Sequence, residues 1–497
     1  MRWQTIGVMV TFTFLIASSI FYPASIASVD SQERVALAQD EQGLDLPEQI
    51  EEIFNAVSEQ NFRAHVQYLS EDIGPRPIHT EANNETIDWL VDKLNEVSEG
   101  VLDVEVFGEW RSVVGRYIPE GGSNQVVLVG GHFDTVHVSP GADDNGSGIA
   151  YMLELARVLS KYEWNTQIWF VGFNNEEYGL GGSRDVALYI EHEGLDLMCA
   201  LNADMILSNI RLPIYYFSDT ANSFVWPACI QLLSELFGTD VVDPIDGWRF
   251  GGNSDHYYFH YFGYNATTAF DGTHMYWHTP DDTYDKEMYH YDVGAEFTAA
   301  TAGAIALAIG FPEIFNADLD ADTLVDIVEI VIGSDRNSAD SDGDSLSDAI
   351  EYSIGTDFNS IDTDLDSLTD SAEVNIYHTN PLRADSDSDT MNDAYEIYFG
   401  LDPLVDDREG DLDGDGLLNI EEHEYGTFPN QMDSDNDNVS DFDEIMLYGS
   451  DPLNENSDGD FLRDDVDIFK NSPVDLPLFL GGAILVIVLL FALQRKR

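Results

Sequence analysis

The chain has 497 residues, 44% of them hydrophobic, enough for two or three domains with sizeable cores. Its 93 Asp and Glu against 21 Lys and Arg give a net charge of −72, which excludes nucleic acid as a partner because the phosphate backbone would repel it. Bound cations or salt must relieve such self-repulsion. More than half of the charge lies after Asn316, in regular clusters, and the rest is spread over a Lys-poor earlier part whose acidic surface fits a salty environment.

In chain order, Arg2 precedes an apolar run from Ile6 to about Tyr22, and the small residues Ser25-Ile26-Ala27 follow. Residues 1–28 read as a secretory signal peptide. Helices are expected over Pro47–Leu69 and Asn84–Val97, where apolar residues recur at helical spacing (Ile50, Ile53, Phe54, Val57; Ile87, Leu90, Val91, Leu94). Gln125–Val129 reads as a strand buried on both faces. Then follow a helix at Gly148–Leu159, a strand at Gln167–Phe173, a helix at Arg184–Ile190, a strand at Leu197–Leu201 and a helix at Ser223–Phe237. A short strand at Ala266–Ala269 and a closing helix at Val293–Ile309 complete the alternation. The expectation over residues 46–312 is an α/β domain with a mixed, mostly parallel central sheet flanked by helices. Ligands of such sheets bind at the carboxyl ends of the strands.

Chemistry-bearing residues stand just after those strands. Gly131-His132-Phe133-Asp134-Thr135 follows the first, and Asp143-Asp144-Asn145-Gly146-Ser147-Gly148 opens the next helix. Asn174-Asn175-Glu176-Glu177 follows the second strand, Ala203-Asp204-Met205 ends the third, and His278-Thr279-Pro280-Asp281-Asp282 lies further on. Imidazole nitrogens and carboxylate oxygens converging on one pocket are the ligands zinc takes.

In this order the segments resemble the co-catalytic di-zinc exopeptidases of metallopeptidase family twenty-eight, which include bacterial secreted aminopeptidases and glutamate carboxypeptidase II. The resemblance covers roughly 74–309. It implies His132 and Asp204 on one zinc, Glu177 and His278 on a second, and Asp144 bridging both, with Asp143 the neighbouring candidate. It further implies Asp134 as the carboxylate that orients His132 and Glu176 as general base. Tyr276 is a weaker candidate oxyanion donor, because the family's tyrosine directly precedes the histidine, where this chain has Trp277. The loop Asn253-Ser254-Asp255-His256 resembles a family loop near the pocket, with His256 structural rather than a ligand. His137 reads as a surface residue, and His274 and His290 are unassigned. The implied activity is an aminopeptidase acting on peptides. A carboxypeptidase of the same family stays open, as does a single-zinc relative that cyclises N-terminal glutamine. So does a calcium-dependent surface binding or adhesion protein with an inert peptidase-like domain.

Residues 316–469 repeat Asp at positions one, three and five, an apolar residue at seven, an acid or Asn at nine and usually an acid at twelve. Copies start at Asp318, Asp340, Asp362, Asp385, Asp411, Asp433 and Asn456, mostly 22 or 23 residues apart with one longer step. Asp340, Asp342, Asp344, Asp348 and Glu351 make one clear copy; Asp411, Asp413, Asp415, Asn419 and Glu422 make the one nearest an EF-hand loop. Carboxylates on alternate residues offer hard oxygen ligands for calcium. The array resembles thrombospondin type 3 repeats and, more distantly, EF-hands and dockerins, implying several calcium ions bound at roughly 0.1–1 mM.

Leu476–Leu493 is uncharged and, as a helix, about 27 Å long, so 476–493 reads as a transmembrane anchor followed by a cytoplasmic basic tail at 494–497. That places the bulk of the chain at the cell surface, tethered through this helix. Cys199 and Cys229 could pair or stay free. Asn84-Glu85-Thr86, Asn265-Ala266-Thr267 and Asn438-Val439-Ser440 are glycosylation sequons.

Overall fold

The structure is a computed structural model; it describes residues 44, 46–216, 224–246, 254–272, 275–459 and 463–467. The expected signal peptide, membrane anchor, basic tail, Asn253 and His274 lie outside the described residues. The chain divides into a unit reaching from Ala27 to Ala339 and a second that holds Asp340 onward.

The first unit begins with α1 (Glu48–Asn55), α2 (Glu59–Gln67, continued by a wide turn to Ile73) and α3 (Glu81–Val97). Ser58 and Thr80 cap α2 and α3, each accepting a hydrogen bond from the backbone N–H three residues on. The strands are β1 (Asp103–Phe107), β2 (Ser112–Tyr117), β3 (Gln125–His132), β4 (Gln167–Phe173), β5 (Asp196–Asp204), β6 (Leu212–Tyr216), β7 (Val242–Asp246) and β8 (Ala266–Phe270). They form one sheet in the order β1-β2-β4-β3-β5-β8-β6-β7. Its centre, β4-β3-β5-β8, is parallel; β1-β2, β2-β4 and β6-β8 pair antiparallel.

The sheet is therefore mixed, as expected, and its parallel centre comes from the runs legible in sequence. Val126, Val127, Leu128 and Val129 are all buried because helices cover both faces. Four strands were not expected: β1 and β2 are short, β1 is largely exposed, and Pro213 and Pro244 break the strand pattern of β6 and β7.

The remaining helices are α4 (Gly148–Leu159), α5 (Gly181–Glu193), α6 (Val225–Leu236), α7 (Tyr257–Tyr261), α8 (Tyr291–Gly310), α9 (Pro312–Phe315) and α10 (Asp326–Ile332). Among the described residues α8 alone is long and apolar enough to cross a membrane; 89% of its most apolar stretch is buried within the unit. Its Gly and Ala residues admit close packing: a Cβ at Gly294 would stand 3.1 Å from Phe62. It is the central helix of the core, packed on α1, α2, α4 and α6.

The expected domain boundary at 312–316 falls inside this unit. Phe315 packs on Trp226 with ring centroids 5.0 Å apart, and Ile327, Val328, Ile330 and Val331 of α10 are buried. The first acidic copy is thus built into the first unit. Cys199 on β5 and Cys229 on α6 are buried free thiols.

In the second unit the copies starting at Asp340, Asp362, Asp385, Asp411 and Asp433 are each an acidic loop followed by a short helix, among them Asp348–Ile354, Asp393–Phe399 and Asn419–Tyr425. The loop acids bind their own backbone: Asp340 accepts from Gly343 and Ser345, Asp342 from Asp344, and Asp344 from Leu346. The position-seven residues Leu346, Met391, Leu417 and Val439 are buried, so those four loops close over an apolar anchor.

Candidate metal centre

The carboxyl ends of β3, β4 and β5 bring His132, Glu176, Glu177 and Asp204 together. The turn before α4 adds Asp144, and the segment after β8 adds His278. His132 Nε2 lies 3.4 Å from Asp144 Oδ1, 3.4 Å from Asp204 Oδ1 and 4.0 Å from Glu176 Oε2. His278 Nε2 lies 2.9 Å from Glu177 Oε2 and 3.3 Å from Asp144 Oδ2. Two groups result, His132-Glu176-Asp204 and Asp144-Glu177-His278, each with ligand atoms close enough to surround one ion. Asp144 faces both imidazoles, one oxygen to each.

Local chemistry fixes this arrangement. His132 Nδ1 lies 3.0 Å from the Asp134 carbonyl, which can only accept, so the ring proton sits there and Nε2 presents its lone pair to the pocket. The Asp134 carboxylate is 3.7 Å from the same ring, but its closer contacts are to the Glu176 and Glu177 N–H groups, at 3.0 and 3.3 Å. Asp134 therefore holds the Glu-Glu turn as well as the histidine. Asn145 donates to the Ala203 carbonyl and accepts from Gly148 N–H, tying the Asp144 turn to the end of β5 across a cis Asp144–Asn145 peptide. Gly148 is required there: a Cβ would fall 2.2 Å from the Ala203 oxygen. Asn175, Met205 and His278 take left-handed backbone conformations (φ 68°, 56° and 57°), a concentration of strain typical of functional sites.

Other residues in this support went unassigned in sequence. Arg76 is wholly buried, and its guanidinium donates to the carbonyls of Phe133, Leu69, Gly74, Pro140 and Gly141. It thereby staples the loop between His132 and Asp144. Burial lowers its pKa to about 10, with Asp282 and Asp144 among the charges opposing that, so it stays charged at neutral pH. Asp282 accepts from the Asp143 and Asp144 N–H groups and from the Tyr289 hydroxyl at 2.6 Å. Asp143 turns away from the imidazoles and accepts from Leu207 N–H and Ser208 Oγ, so it is the brace and Asp144 the pocket residue. The sequence held no spacing signal for Arg76, because its partners are all backbone carbonyls.

Asp255 and His256 are buried, and Asp255 sits near enough to His132 and Asp204 to feel their charge. Tyr276 is half-buried in the turn before His278: its carbonyl accepts from Thr279, and Lys286 lies over its ring. Trp277, half-exposed, has its ring centroid 4.6 Å from that of His278.

The donor set fits divalent metal. Buried Asp144 Oδ2 and Glu177 Oε1 have no hydrogen-bond partner. Burial, then the Asp144 charge, pushes the Glu177 carboxyl up to about 9, and burial likewise raises Glu176. Burial opposes charge on His132, but Glu176 and Asp204 outweigh it and lift its pKa. Crowded carboxylates with two imidazoles aimed among them are a donor set that suits a divalent cation. In the acidic array Asp342, Glu351, Asp413 and Glu422 also carry buried carboxylate oxygens without hydrogen-bond partners. Asp348 instead accepts from Ser341 through both oxygens.

Residues 112–301 match the family described as Peptidase family M28, and residues 362–384 match the bacterial TSP3 repeat. Aminopeptidase YwaD of Bacillus subtilis is 30% identical over 203 residues, 38% of this chain and 44% of that protein. Leucine aminopeptidase 2 of Trichophyton rubrum is 33% identical over 141 residues, 27% of this chain and 28% of that one. The chain thus spans less than half the length of these curated relatives. Among solved structures, a zinc aminopeptidase from Bacillus subtilis aligns with 18% identity and a TM-score of 0.45, covering 51% of this chain and 96% of that one. A Porphyromonas gingivalis glutaminyl cyclase aligns with 19% identity and a TM-score of 0.43, covering 51% and 99%.

Proposed function

We propose, from the premise that the chain carries a peptidase family M28 domain over residues 112–301 and a bacterial TSP3 repeat over 362–384, that it is a two-zinc aminopeptidase acting on extracellular peptides. The observation that carries this reading is Asp144, whose two oxygens face His132 and His278 at 3.4 and 3.3 Å and so join two ligand groups into one centre. His132 and Asp204 would hold one ion, Glu177 and His278 the other, with Asp144 able to serve both. Zinc bound there supplies Lewis acidity toward a peptide carbonyl and makes a water nucleophilic near neutral pH.

The chain's own residues do the rest. Glu176 is raised by burial and faces the same pocket, so it accepts the proton of the attacking water and returns it to the leaving amine. Asp134 fixes Glu176 and Glu177 through their N–H groups and keeps His132 in the tautomer that leaves Nε2 free. Trp277 stands beside His278 without a hydroxyl; Tyr276 is the neighbouring group able to donate to a developing oxyanion. The aminopeptidase names of the partial relatives favour release of N-terminal residues over C-terminal ones.

The acidic array binds calcium in this reading, because its buried carboxylate oxygens lack donors, and it serves as a calcium-stiffened spacer. The cell-surface location rests on the apolar runs at Ile6–Tyr22 and Leu476–Leu493.

The test is an assay of the zinc- and calcium-loaded chain on aminoacyl substrates with free and blocked amines, beside Glu176→Gln. The parent is expected to cleave the free-amine substrates only. Glu176→Gln is expected to keep its zinc and lose about 10²–10⁴-fold in kcat. Cleavage of blocked substrates with a free C-terminus would move the chain to the carboxypeptidase side, and a zinc-free, inactive parent would overturn the enzyme reading.

A further inference from the structure

The step from Asp385 to Asp411 is 26 residues, against 22 or 23 elsewhere in the array, and two regular features change there together. In the regular copies the ninth-position acids Asp348, Asp370, Asp393 and Asp441 accept from the backbone N–H of position two. Asp370, Asp393 and Asp441 each also feel the charge of the fifth-position acid of the copy before, namely Asp344, Asp366 and Asp415. The copy at Asp411 has Asn419 instead. Asn419 still accepts from Leu412 N–H, but its amide donates to the Asp407 carbonyl at 2.9 Å, in the inserted stretch.

The second change concerns the fifth-position acid. Asp344, Asp366 and Asp415 each use Oδ2 to accept the N–H of Ser371, Ala394 and Phe442 in the following helix. At the long step that N–H, on Ile420, goes to the Arg408 carbonyl, and Asp389 Oδ2 is left buried without a hydrogen-bond partner. Asp387 Oδ2, Asp407 Oδ1 and both oxygens of Glu396 are buried and unpartnered in the same way. Glu396 and Asp389 are each 0% exposed. Asp389, Asp387 and Asp407 all act electrostatically on Glu396, and Asp389 on Asp407, so the four acids share one locality. Arg408, the insertion's one cation, pairs with Asp406 at the surface.

We propose that the inserted Asp407 completes the calcium-class site of the copy at Asp385, joining Asp387, Asp389 and Glu396 in place of the ninth-position carboxylate that Asn419 lacks. The donors are all hard oxygens, with neither imidazole nor thiolate among the four, which selects calcium over zinc. The Asn419 amide is what seats the insertion: an Asp there would oppose the Asp407 carbonyl with a second acceptor. This inference rests on the reading of the array as a calcium module.

The experiment is calcium uptake by the full chain at equilibrium, with calcium as the sole added ligand, for the parent, Asp407→Asn and Glu409→Gln. Glu409 is an exposed acid of the same insertion, so its substitution removes equal charge without touching the site. Asp407→Asn is expected to bind about one calcium fewer per chain, or to bind that one at least about tenfold more weakly, while Glu409→Gln matches the parent. Thermal melts accompany it. Without calcium, Asp407→Asn should melt no lower than the parent, because a repelling charge is gone; with calcium it should gain less. Uptake equal to the parent's overturns the site, as does a calcium-free melt lowered by the substitution with uptake unchanged, which marks a packing role. A parent that takes up no calcium removes the calcium reading itself.

Discussion

Asp134 contacts three residues of the centre at once, which gives its substitution a particular signature. In Asp134→Asn one acceptor facing the Glu176 or Glu177 N–H becomes a donor, so the turn must shift. Zinc affinity or activity is expected to fall about 10–100-fold, with the fold intact; zinc retention on dialysis against a graded chelator measures it, and retention equal to the parent's would refute the role. Arg76→Met should act differently. It deserts five buried carbonyls, so the loss should be about 3 kcal/mol or more in denaturant unfolding. A loss under about 1 kcal/mol would mean that water fills the site. The residues of the candidate centre were legible because each lies in a recognisable segment that comes after a strand. Arg76, Asp282 and Tyr289 were not, because a residue that serves backbone groups leaves no partner spacing in the sequence.

At the scale of elements, the buried runs of β3, β4 and β5 were readable because a strand covered on both faces is apolar throughout. The outlying strands β1, β6 and β7 were not, being short, exposed or interrupted by proline. The acidic loops make their own prediction. Burial first, then neighbouring Asp charges, raises Glu351 and Glu422 to about 8 and Glu396 to about 9, far above an unfolded glutamate near 4.3. Folding without metal therefore binds protons, and its stability is greatest below about pH 4 as far as these groups decide it. It falls as pH rises through the window to about 8–9. On the proposed reading calcium would remove the penalty by favouring the ionised form, and its uptake near pH 6 should release protons. Melts of the chelated chain between pH 5 and 9 should show the array's transition moving down with pH, and saturating calcium should flatten that trend. A transition that rises with pH in chelator would contradict the account.

For the whole molecule the governing quantity is the charge of −72. Simple salt screens it over roughly 8–10 Å, whereas an ion seated among carboxylates neutralises it locally. Calcium should therefore stabilise the chain more than sodium chloride of equal ionic strength. Equal effects would reduce the array to a screened acidic surface. The central claim concerns the first unit, and diffraction from zinc-loaded crystals above and below the zinc absorption edge tests it most directly. The account expects two anomalous peaks flanking Asp144, one against His132 and Asp204 and one against Glu177 and His278. A single peak, or a pair that does not share Asp144, would contradict it.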